Sequence, residues 1–239
     1  DSKLTNNPDK GFLSNLKNVA VDTNKEFAKR LKIKQSAAIT CVKPSGTVSQ
    51  LVDSASGIHT RHNPYYIRTV RCDKKDPLTQ LMIDQGVPNE PDITKPDSVM
   101  VFSFPTASPS GSVTRNDMSA IQQLELWLKY QREWCEHKPS VTVSVREDEW
   151  MEVGAWVYKY FDEVSGISFL PYTDHIYKQA PYQDIERKEY LELKKDMPAT
   201  IDFSQLVNYE SEDNTTGSQE LACTGGVCEL VDVTAPQED

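Results

Sequence analysis

The chain has 239 residues, a formal net charge of −10 and 38% hydrophobic residues, enough to bury one sizeable core without disulfides or a structural metal. The net negative charge argues against direct binding to nucleic acid, because an acidic protein repels the phosphates and does not neutralise them. No apolar run approaches the roughly 20 residues that cross a bilayer, and the first residues lack the pattern of a signal peptide, so we expect a cytoplasmic protein with no membrane partner.

The sequence predicts helices and strands that alternate along the chain. Apolar residues at helical spacing predict a first helix from about Phe12 to Leu31, and residues 37–42 (AAITCV) predict a strand. Further strands are predicted at 99–104, 141–145 and 166–170. This alternation predicts an α/β fold, in which four strands would make an incomplete sheet.

Two helices are expected between the later strands. The first follows Thr114 and Asp117, whose spacing is typical of a capping box, and it carries an apolar stripe of Ile121, Leu124, Leu128 and Cys135. The second begins near Asp148 and is expected to bury one face, made of Trp150, Val153, Val157, Phe161 and Val164.

The composition changes after Phe203. From Asp202 to Asp239 the chain has nine acidic residues and no Lys or Arg, so this end carries nearly all of the net charge. Large apolar residues are few there, which is typical of a flexible arm. We therefore predict a folded body at residues 1–203 and a flexible acidic tail at 204–239.

A candidate phosphate site follows the first predicted strand, in the sequence KPSGTVSQ. A strand that turns directly into a helix would place free backbone N–H groups and the hydroxyls of Ser45, Thr47 and Ser49 around one point. Gly46 would let the backbone approach an anion, and Lys43 could add a full charge. The same pattern is typical of a simple N-cap, and the residues alone favour that interpretation.

The sequence CTGGVC near the end of the chain holds Cys223 and Cys228. The two glycines between them permit the tight turn that a disulfide requires, so the pair can carry reducing equivalents. Half of a zinc site and two idle cysteines are the alternatives. A structural zinc site needs four ligands, and no second Cys or His pair at metal spacing is present, so we expect no metal.

Residues 56–71 (SGIHTRHNPYYIRTVR) are rich in His, Arg and Tyr, including His59, Arg61 and His62. They could line a site for an anionic ligand, although a polar segment with aromatic packing explains them as well, and two histidines make a poor metal site. Cys41 falls in the first predicted strand and Cys135 on a helix stripe, where each thiol would behave as a small hydrophobe.

Four stretches resemble a known family when they are taken together: AITCVKPSGTVSQLVDSASGIH, EVGAWVYKYFDEVSGISFLPY, KQAPYQ and CTGGVC. In this order they resemble the C-terminal part of the adenosylcobalamin-dependent (class II) ribonucleotide reductases, most closely the monomeric ribonucleoside-triphosphate reductases. The similarity extends from about residue 10 to the end of the chain.

The resemblance implies a ten-stranded α/β barrel, of which this chain would supply the later strands. It also implies that the substrate phosphates are held by Pro44, Ser45, Gly46, Thr47 and Val48. Cys223 and Cys228 would re-reduce an active-site disulfide after each turnover, and thioredoxin or a similar dithiol protein would reduce the tail. The cofactor implied is adenosylcobalamin, whose radical generates the thiyl that removes the 3′ hydrogen of a ribonucleoside triphosphate or diphosphate.

The chain departs from a complete reductase of this family. The loop Asn-Pro-Cys-Gly-Glu, which holds the radical cysteine, has no match, because none of Cys41, Cys72 and Cys135 has those neighbours. The N-terminal partner of the active-site cysteine pair is missing as well. We therefore expect the chain to be inactive alone and to need the N-terminal part of the enzyme, as a missing segment or as a separate polypeptide.

Two other interpretations stay open. A fragment of a class I large subunit would also carry a phosphate loop and a tail cysteine pair, but it would need paired radical-transfer tyrosines near the end of the barrel. Tyr65 and Tyr66 are adjacent but lie too close after the phosphate loop. A non-catalytic module for thiol redox or phosphate binding is the second alternative.

Overall fold

The computed structural model describes residues 11–46, 48–172 and 178–210. These residues belong to two compact units, each made of two stretches of chain. Unit 1 contains the chain up to Thr69 together with Phe104–Lys194, and unit 2 contains Val70–Ser103 together with the chain from Lys195 onward.

Helices and strands alternate along the chain. The helices are α1 (Phe12–Leu31), α2 (Val48–Leu51), α3 (Pro77–Asp84), α4 (Ala120–Glu133), α5 (Trp150–Lys159) and α6 (Arg187–Asp196). The strands are β1 (Tyr65–Asp73), β2 (Asn89–Pro91), β3 (Val99–Ala107), β4 (Val141–Val145), β5 (Ile167–Pro171) and β6 (Tyr182–Asp184). Short 3-10 helices occupy Glu147–Glu149 and Phe203–Asn208. The protein is thus a mixed α/β structure, as the sequence predicts.

The core of unit 1 forms where α4 and α5 pack on the parallel pair of β4 and β5. β4 and β5 pair from Val141 opposite Ile167 to Val145 opposite Pro171. The β4 valines at alternate positions are buried, as expected for a strand with one face in the core. Trp127 of α4 is fully buried in this core, and its indole Nε1 donates to the carbonyl oxygen of Pro139 at 3.2 Å.

A second, antiparallel sheet contributes to unit 1, where β1 lies between β3 and β6. β1 pairs with β6 from Tyr66 opposite Asp184 to Arg68 opposite Tyr182. The nine residues of β1 have no simple alternation of burial, and the sequence analysis did not predict this strand.

Unit 2 contains a hairpin-like pair and one helix. β2 pairs antiparallel with β3 from Asn89 opposite Phe102 to Pro91 opposite Met100. α3 begins at Pro77, directly after Asp76, whose carboxylate accepts from the Leu78 N–H and caps the helix. The unit buries a small core that includes Leu81, Val87, Val101 and Phe102.

Residues 204–208, which the sequence analysis places in a flexible tail, belong to the 3-10 helix Phe203–Asn208 of unit 2. The side chain of Gln85 holds its start, because it donates to the Asp202 carbonyl at 3.1 Å and accepts from the Asp202 N–H at 2.7 Å. The ordered body therefore continues past residue 203. Residues 211–239 lie outside the described residues.

The prediction of a strand at 37–42 is wrong. Ile39 and Thr40 donate their backbone N–H groups to the Glu136 carboxylate, where a strand would donate to a neighbouring backbone. The Thr40 carbonyl also accepts from two successive backbone N–H groups, those of Glu136 and His137. The segment therefore bonds to one side chain and shares one carbonyl between two donors, and it does not form the regular backbone hydrogen bonds of a strand. Cys41, which was expected to lie in this strand as a small hydrophobe, is exposed.

Two details of the predicted helices are also wrong. Thr114 and Asp117 form a turn, in which the Asp117 carboxylate accepts from the Thr114 N–H and hydroxyl, while α4 begins after a capping box of Ser119 and Gln122. In α5, Val153 is buried as predicted, but the helix ends at Lys159 and Phe161 lies beyond it, 72% exposed. The buried face of α5 is therefore about one turn shorter than the sequence predicts. Leu124, Leu128 and Cys135 of the predicted α4 stripe are buried as expected.

Candidate phosphate-binding loop

The residues predicted to hold phosphate lie in a loop that runs from Lys43 to Gly57, here called the 43–57 loop. Its two ends touch. A Cβ atom at position 57 would lie 2.9 Å from the Lys43 carbonyl oxygen, closer than real Cβ atoms approach backbone, and Gly57 has a positive φ of 60°. Both conditions require glycine, so the close approach of the loop ends depends on Gly57.

Hydrogen bonds across the loop fix its interior. The backbone N–H of Ser45 donates to the hydroxyl oxygen of Ser56 at 2.8 Å, and the two hydroxyl oxygens are 3.4 Å apart. The Ser54 N–H donates to the Ser49 carbonyl at 2.9 Å. The returning half of the loop therefore positions the half that contains the predicted phosphate ligands.

Four of the five predicted phosphate ligands are described, and all four are exposed: Pro44, Ser45, Gly46 and Val48. The fifth, Thr47, lies outside the described residues. Open space surrounds Gly46, since no heavy atom lies within 4 Å of where its Cβ would be. A phosphate group can therefore reach the backbone at this point of the loop.

The helix after these residues is shorter than the sequence suggests. α2 is a single turn of four residues, so the helix dipole contributes little, and the site depends on backbone and hydroxyl groups. Ser49 is buried in place of joining Ser45 at the surface, and its Oγ has no hydrogen-bond partner within the described part of the chain. The expected convergence of hydroxyls thus involves Ser45 alone among the described residues.

Lys43 brings a positive charge to the neck of the loop. Its Nζ donates to the Ser140 hydroxyl at 2.9 Å, just before β4 begins. The Ser140 N–H in turn donates to the Val42 carbonyl at 3.0 Å. These two contacts tie the base of the loop to the start of β4.

His59 joins the loop to β4 through both ring nitrogens. Nδ1 lies 2.6 Å from the Ser56 carbonyl oxygen, and Nε2 accepts from the Thr142 N–H at 2.9 Å. Burial lowers the pKa of His59, which keeps the imidazole neutral. This role of His59 does not follow from the sequence alone. A second Ser-Gly pair, Ser56 and Gly57, so soon after Ser45 and Gly46 is the sequence signal that could have indicated a closed loop.

Arg61 is buried beside the loop, with 5% of its surface exposed. Its Nη2 lies 2.7 Å from a carboxylate oxygen of Asp53, and its Nη1 donates to the Ser54 carbonyl at 2.7 Å. A cavity of about 180 Å³ lies next to these residues, with a lining that includes His59 and Ile58 as well as residues 109–113. Because the guanidinium is already paired, we interpret Arg61 as a support for the 53–61 stretch.

The rest of the 56–71 segment packs in the way that the polar and aromatic interpretation predicts. The ring of His62 stacks on Tyr182 with centroids 5.0 Å apart, and its Nε2 lies 2.7 Å from the Asp184 carboxylate. Asp184 also pairs with Arg115 at 2.7 Å. Burial, aided by the charge of Arg115, outweighs Asp184 and lowers the pKa of His62 to about 4.

The cysteines in the described ranges differ in exposure. Cys41 is exposed, Cys72 is half-buried and Cys135 is buried. Burial raises the pKa of Cys135 to about 11, which makes its thiol inert at neutral pH. Cys223 and Cys228, the predicted redox pair, lie outside the described residues.

Neither a metal site nor a membrane-spanning helix is present in the described residues. They contain no group of three or more His, Cys, Asp or Glu side chains arranged to hold a metal ion. Among their helices, none is both long enough and apolar enough to cross a membrane.

Sequence comparison relates the chain to one group of enzymes. It is 31% identical over 181 residues to the adenosylcobalamin-dependent ribonucleoside-triphosphate reductase of Euglena gracilis, a match that covers 75% of this chain and 25% of that protein. It is 26% identical over 214 residues to the protein of the same name from Lactobacillus gasseri, covering 88% of this chain and 29% of that protein. The chain is a relative of the adenosylcobalamin-dependent ribonucleotide reductases. The resemblance inferred from the motifs is thereby confirmed.

The match concerns a limited part of these reductases, since the chain spans 25% and 29% of the length of the two relatives. A crystal structure of a B12-dependent (class II) ribonucleotide reductase superposes on 84% of this chain and 28% of that protein with a TM-score of 0.70. At 23% sequence identity, this likeness establishes a shared fold. No protein-family model matches the chain.

Proposed function

We propose that the chain is the C-terminal part of an adenosylcobalamin-dependent ribonucleotide reductase, which converts ribonucleoside triphosphates to 2′-deoxyribonucleotides. The observation that carries this proposal is the sequence relationship to two such reductases over at least three quarters of the chain. Both relatives are named for the cobalamin cofactor, which favours this family over a class I large subunit. The 239-residue chain supplies the phosphate loop and the tail dithiol, and the radical cysteine is supplied by the N-terminal part.

The 43–57 loop is proposed to bind the substrate phosphates through Pro44, Ser45, Gly46, Thr47 and Val48. Support comes from the exposure of the four described residues and from the open space around Gly46. The positive charge of Lys43 at the loop neck favours an anion. In this role the loop orients the triphosphate and thereby places the ribose over the reacting groups.

We further propose that β4 and β5 belong to a ten-stranded barrel completed by the rest of the enzyme. Parallel strands are rarely stable as an isolated pair, since both faces and edges need cover. In β5 the backbone groups of Ile167 and Phe169 point away from β4 and meet no hydrogen-bond partner within the described ranges. An adjoining strand from the N-terminal part would satisfy these groups.

The apolar surface of α1 supports the same arrangement. Five apolar residues of this helix are exposed to solvent, by between 40% and 65%: Phe12, Leu16, Val19, Phe27 and Leu31. Leu13 and Ala28 are the α1 residues that are buried, and they lie beside this exposed stripe. The apolar surface of the helix is therefore wider than the face that it buries here, which is typical of a helix with further cover. The N-terminal part of the reductase is the proposed cover for the exposed face.

Cys223 and Cys228 are proposed to re-reduce the active site. The two tail thiols reduce the active-site disulfide by thiol–disulfide exchange and become a disulfide themselves, so two electrons and two protons pass inward. Thioredoxin or a similar dithiol protein then reduces the tail disulfide. The 18 residues from Gln205 to Cys223 extend to roughly 60 Å at most, which is enough to reach a barrel interior and a soluble partner in turn.

Adenosylcobalamin is the cofactor implied by the relatives, and it supplies the radical chemistry. The cavity beside His59, at about 180 Å³, is smaller than the roughly 300–1,000 Å³ of ordinary ligand pockets and far too small for a corrin with its nucleotide. This cavity therefore does not fit the cofactor. We propose that the N-terminal part of the enzyme contributes to its binding.

The test is reconstitution with the N-terminal part of a related reductase, followed by an assay for deoxyribonucleotide formation with adenosylcobalamin and a dithiol. We expect activity from the assembled enzyme and none from the 239-residue chain alone. Replacing Ser45 with Leu should raise KM for the triphosphate by roughly tenfold or more, whereas Ser98→Leu, at an exposed serine of unit 2, should not. No turnover by a correctly assembled enzyme would refute the function, and an unchanged KM would remove the loop from the phosphate site.

A further inference from the structure

We propose that His59 is a positioning residue of the 43–57 loop, in which a neutral imidazole anchors the phosphate-binding backbone to β4. This inference rests on the proposed function, because it assumes that the loop binds phosphate. It assigns to His59 no contact with substrate.

The two partners of His59 determine its protonation state. A backbone N–H can only donate, so Nε2 must accept from Thr142 at 2.9 Å. A backbone carbonyl can only accept, so Nδ1 must carry the proton toward Ser56 at 2.6 Å. Only the neutral Nδ1–H tautomer satisfies both contacts, since an imidazolium would turn a second N–H toward the Thr142 N–H.

Ser56 transmits this anchoring to the phosphate-binding half of the loop. Its carbonyl oxygen lies next to the His59 ring, and it also accepts from the His59 N–H at 3.1 Å. Its hydroxyl accepts the Ser45 N–H at 2.8 Å. One residue thus connects the imidazole to the backbone that is proposed to approach the phosphate.

β4 is a rigid point of attachment. Its residues Val141, Val143 and Val145 are each no more than 2% exposed and pack in the core of unit 1. The Val141 N–H donates toward β5, to the Gly166 carbonyl, so the Thr142 N–H points to the opposite edge of the strand. The His59 ring meets that edge at the Thr142 N–H. The loop is therefore attached, through His59, to a strand that is packed in the core of unit 1.

Three variants of the full 239-residue chain separate the two contacts. His59→Phe removes both of them while keeping a ring of similar size. His59→Asn keeps a donor at the position of Nδ1, within reach of Ser56, but cannot reach Thr142. His137→Asn is the matched control, because His137 is an exposed histidine outside this network.

Three measurements apply to each variant: affinity for inorganic tripolyphosphate by calorimetry, hydrogen exchange of the Ser45 and Thr142 amides by NMR, and the nitrogen shifts of the imidazole in the wild type. We expect the shifts to show the Nδ1–H tautomer. We expect His59→Phe to bind tripolyphosphate roughly tenfold more weakly, with faster exchange at both amides. His59→Asn, which keeps the Ser56 contact but loses the contact with β4, should also weaken binding and speed the exchange of both amides, and His137→Asn should match the wild type.

The outcomes distinguish this inference from the proposed function. If the wild type binds tripolyphosphate and both His59 variants bind it equally well with unchanged Ser45 exchange, the positioning role is overturned. A protonated ring or the opposite tautomer overturns it too. If the wild type fails to bind tripolyphosphate while Ser45 exchange still responds to His59, the anchoring stands and the phosphate assignment fails. Should His59→Phe not fold, the comparison of His59→Asn with His137→Asn decides the question.

Discussion

The carbonyl oxygen of Lys43 lies directly against Gly57, across the neck of the loop that we propose to hold the substrate phosphates. A Cβ at position 57 would come within 2.9 Å of that oxygen. The loop closes by a contact between backbones, so its shape depends on the absence of one side chain.

Replacing Gly57 with Ala should therefore destabilise unit 1 by about 1–3 kcal/mol, since it adds both a clash and a strained positive φ. The matched control is Gly154→Ala in α5, where no atom lies within 4 Å of the new methyl group. There we expect a gain of about 0.5–1 kcal/mol from helix propensity. Denaturant unfolding of the two variants measures the difference, and equal stabilities would contradict the close approach at the neck.

Replacing Cys223 or Cys228 with Ser in the assembled reductase should abolish repeated turnover with thioredoxin as reductant. A single turnover should persist, because the active-site thiols are reduced before the first cycle. Activity with small dithiols should persist too, since these reach the active site without the tail. Cys41→Ser, which removes an exposed thiol of the body, is the control and should keep activity with thioredoxin. Equal loss with both kinds of reductant would show that the tail acts in some other way.

The burial of His62 beside Arg115 should make the stability of unit 1 sensitive to acid. In the unfolded chain His62 takes up a proton near pH 6.5, whereas in the folded chain its pKa is about 4, so protons favour the unfolded state in this window. Stability should fall as the pH drops from about 6.5 toward 4, by at most about 1.4 kcal/mol per pH unit from this group.

The variant His62→Asn tests this expectation, because it cannot titrate. Its free energy of unfolding should depend less steeply on pH between these values than that of the wild type. His137→Asn serves as the control for loss of an exposed histidine. Identical slopes for the wild type and His62→Asn would mean that Asp184 compensates for the burial and the charge of Arg115.

Thiol labelling should separate Cys41 from Cys135. With a pKa of about 11 in place of 9.0, Cys135 has about 100-fold less thiolate at neutral pH, and its burial slows access further. In a chain that lacks the tail thiols, iodoacetamide should modify Cys41 readily and Cys135 at least about 100-fold more slowly, as followed by peptide mass spectrometry. Both should react alike in concentrated guanidinium chloride. Rapid labelling of Cys135 in the native chain would contradict its place in the core.

The elements with strong periodicity could be predicted from the sequence. The first helix begins at Phe12 and ends at Leu31 as predicted, and β4 matches its predicted range, because both have a regular apolar pattern. β1 was missed because its strand carries arginines and a mixed burial pattern in place of clean alternation. Local patterns identify elements where packing repeats at a fixed period and miss them where it does not.

The loop of the candidate site could be predicted from the sequence, but the contacts within that loop could not. The sequence indicates a loop around Ser45 and Gly46, since serine and glycine there suit phosphate. It does not reveal that Ser49 turns inward or that His59 binds Thr142, because both depend on contacts between residues far apart in the chain. Likewise, the 37–42 segment has the composition of a strand, and only the position of Glu136 shows why it lacks a ladder.

Within the described ranges the outer edge of β5 pairs with no strand, and this has a consequence for how the protein is handled and made. Open strand edges are templates for pairing with other chains, and those beside apolar surface are prone to aggregate. Made without the proposed N-terminal part, this polypeptide should self-associate through this edge as its concentration rises, and synthesis of the two parts together should suppress the association. The remainder of the enzyme would then serve as a folding template as well as a catalytic partner, and the order in which the two parts are synthesised would matter as much as their amounts.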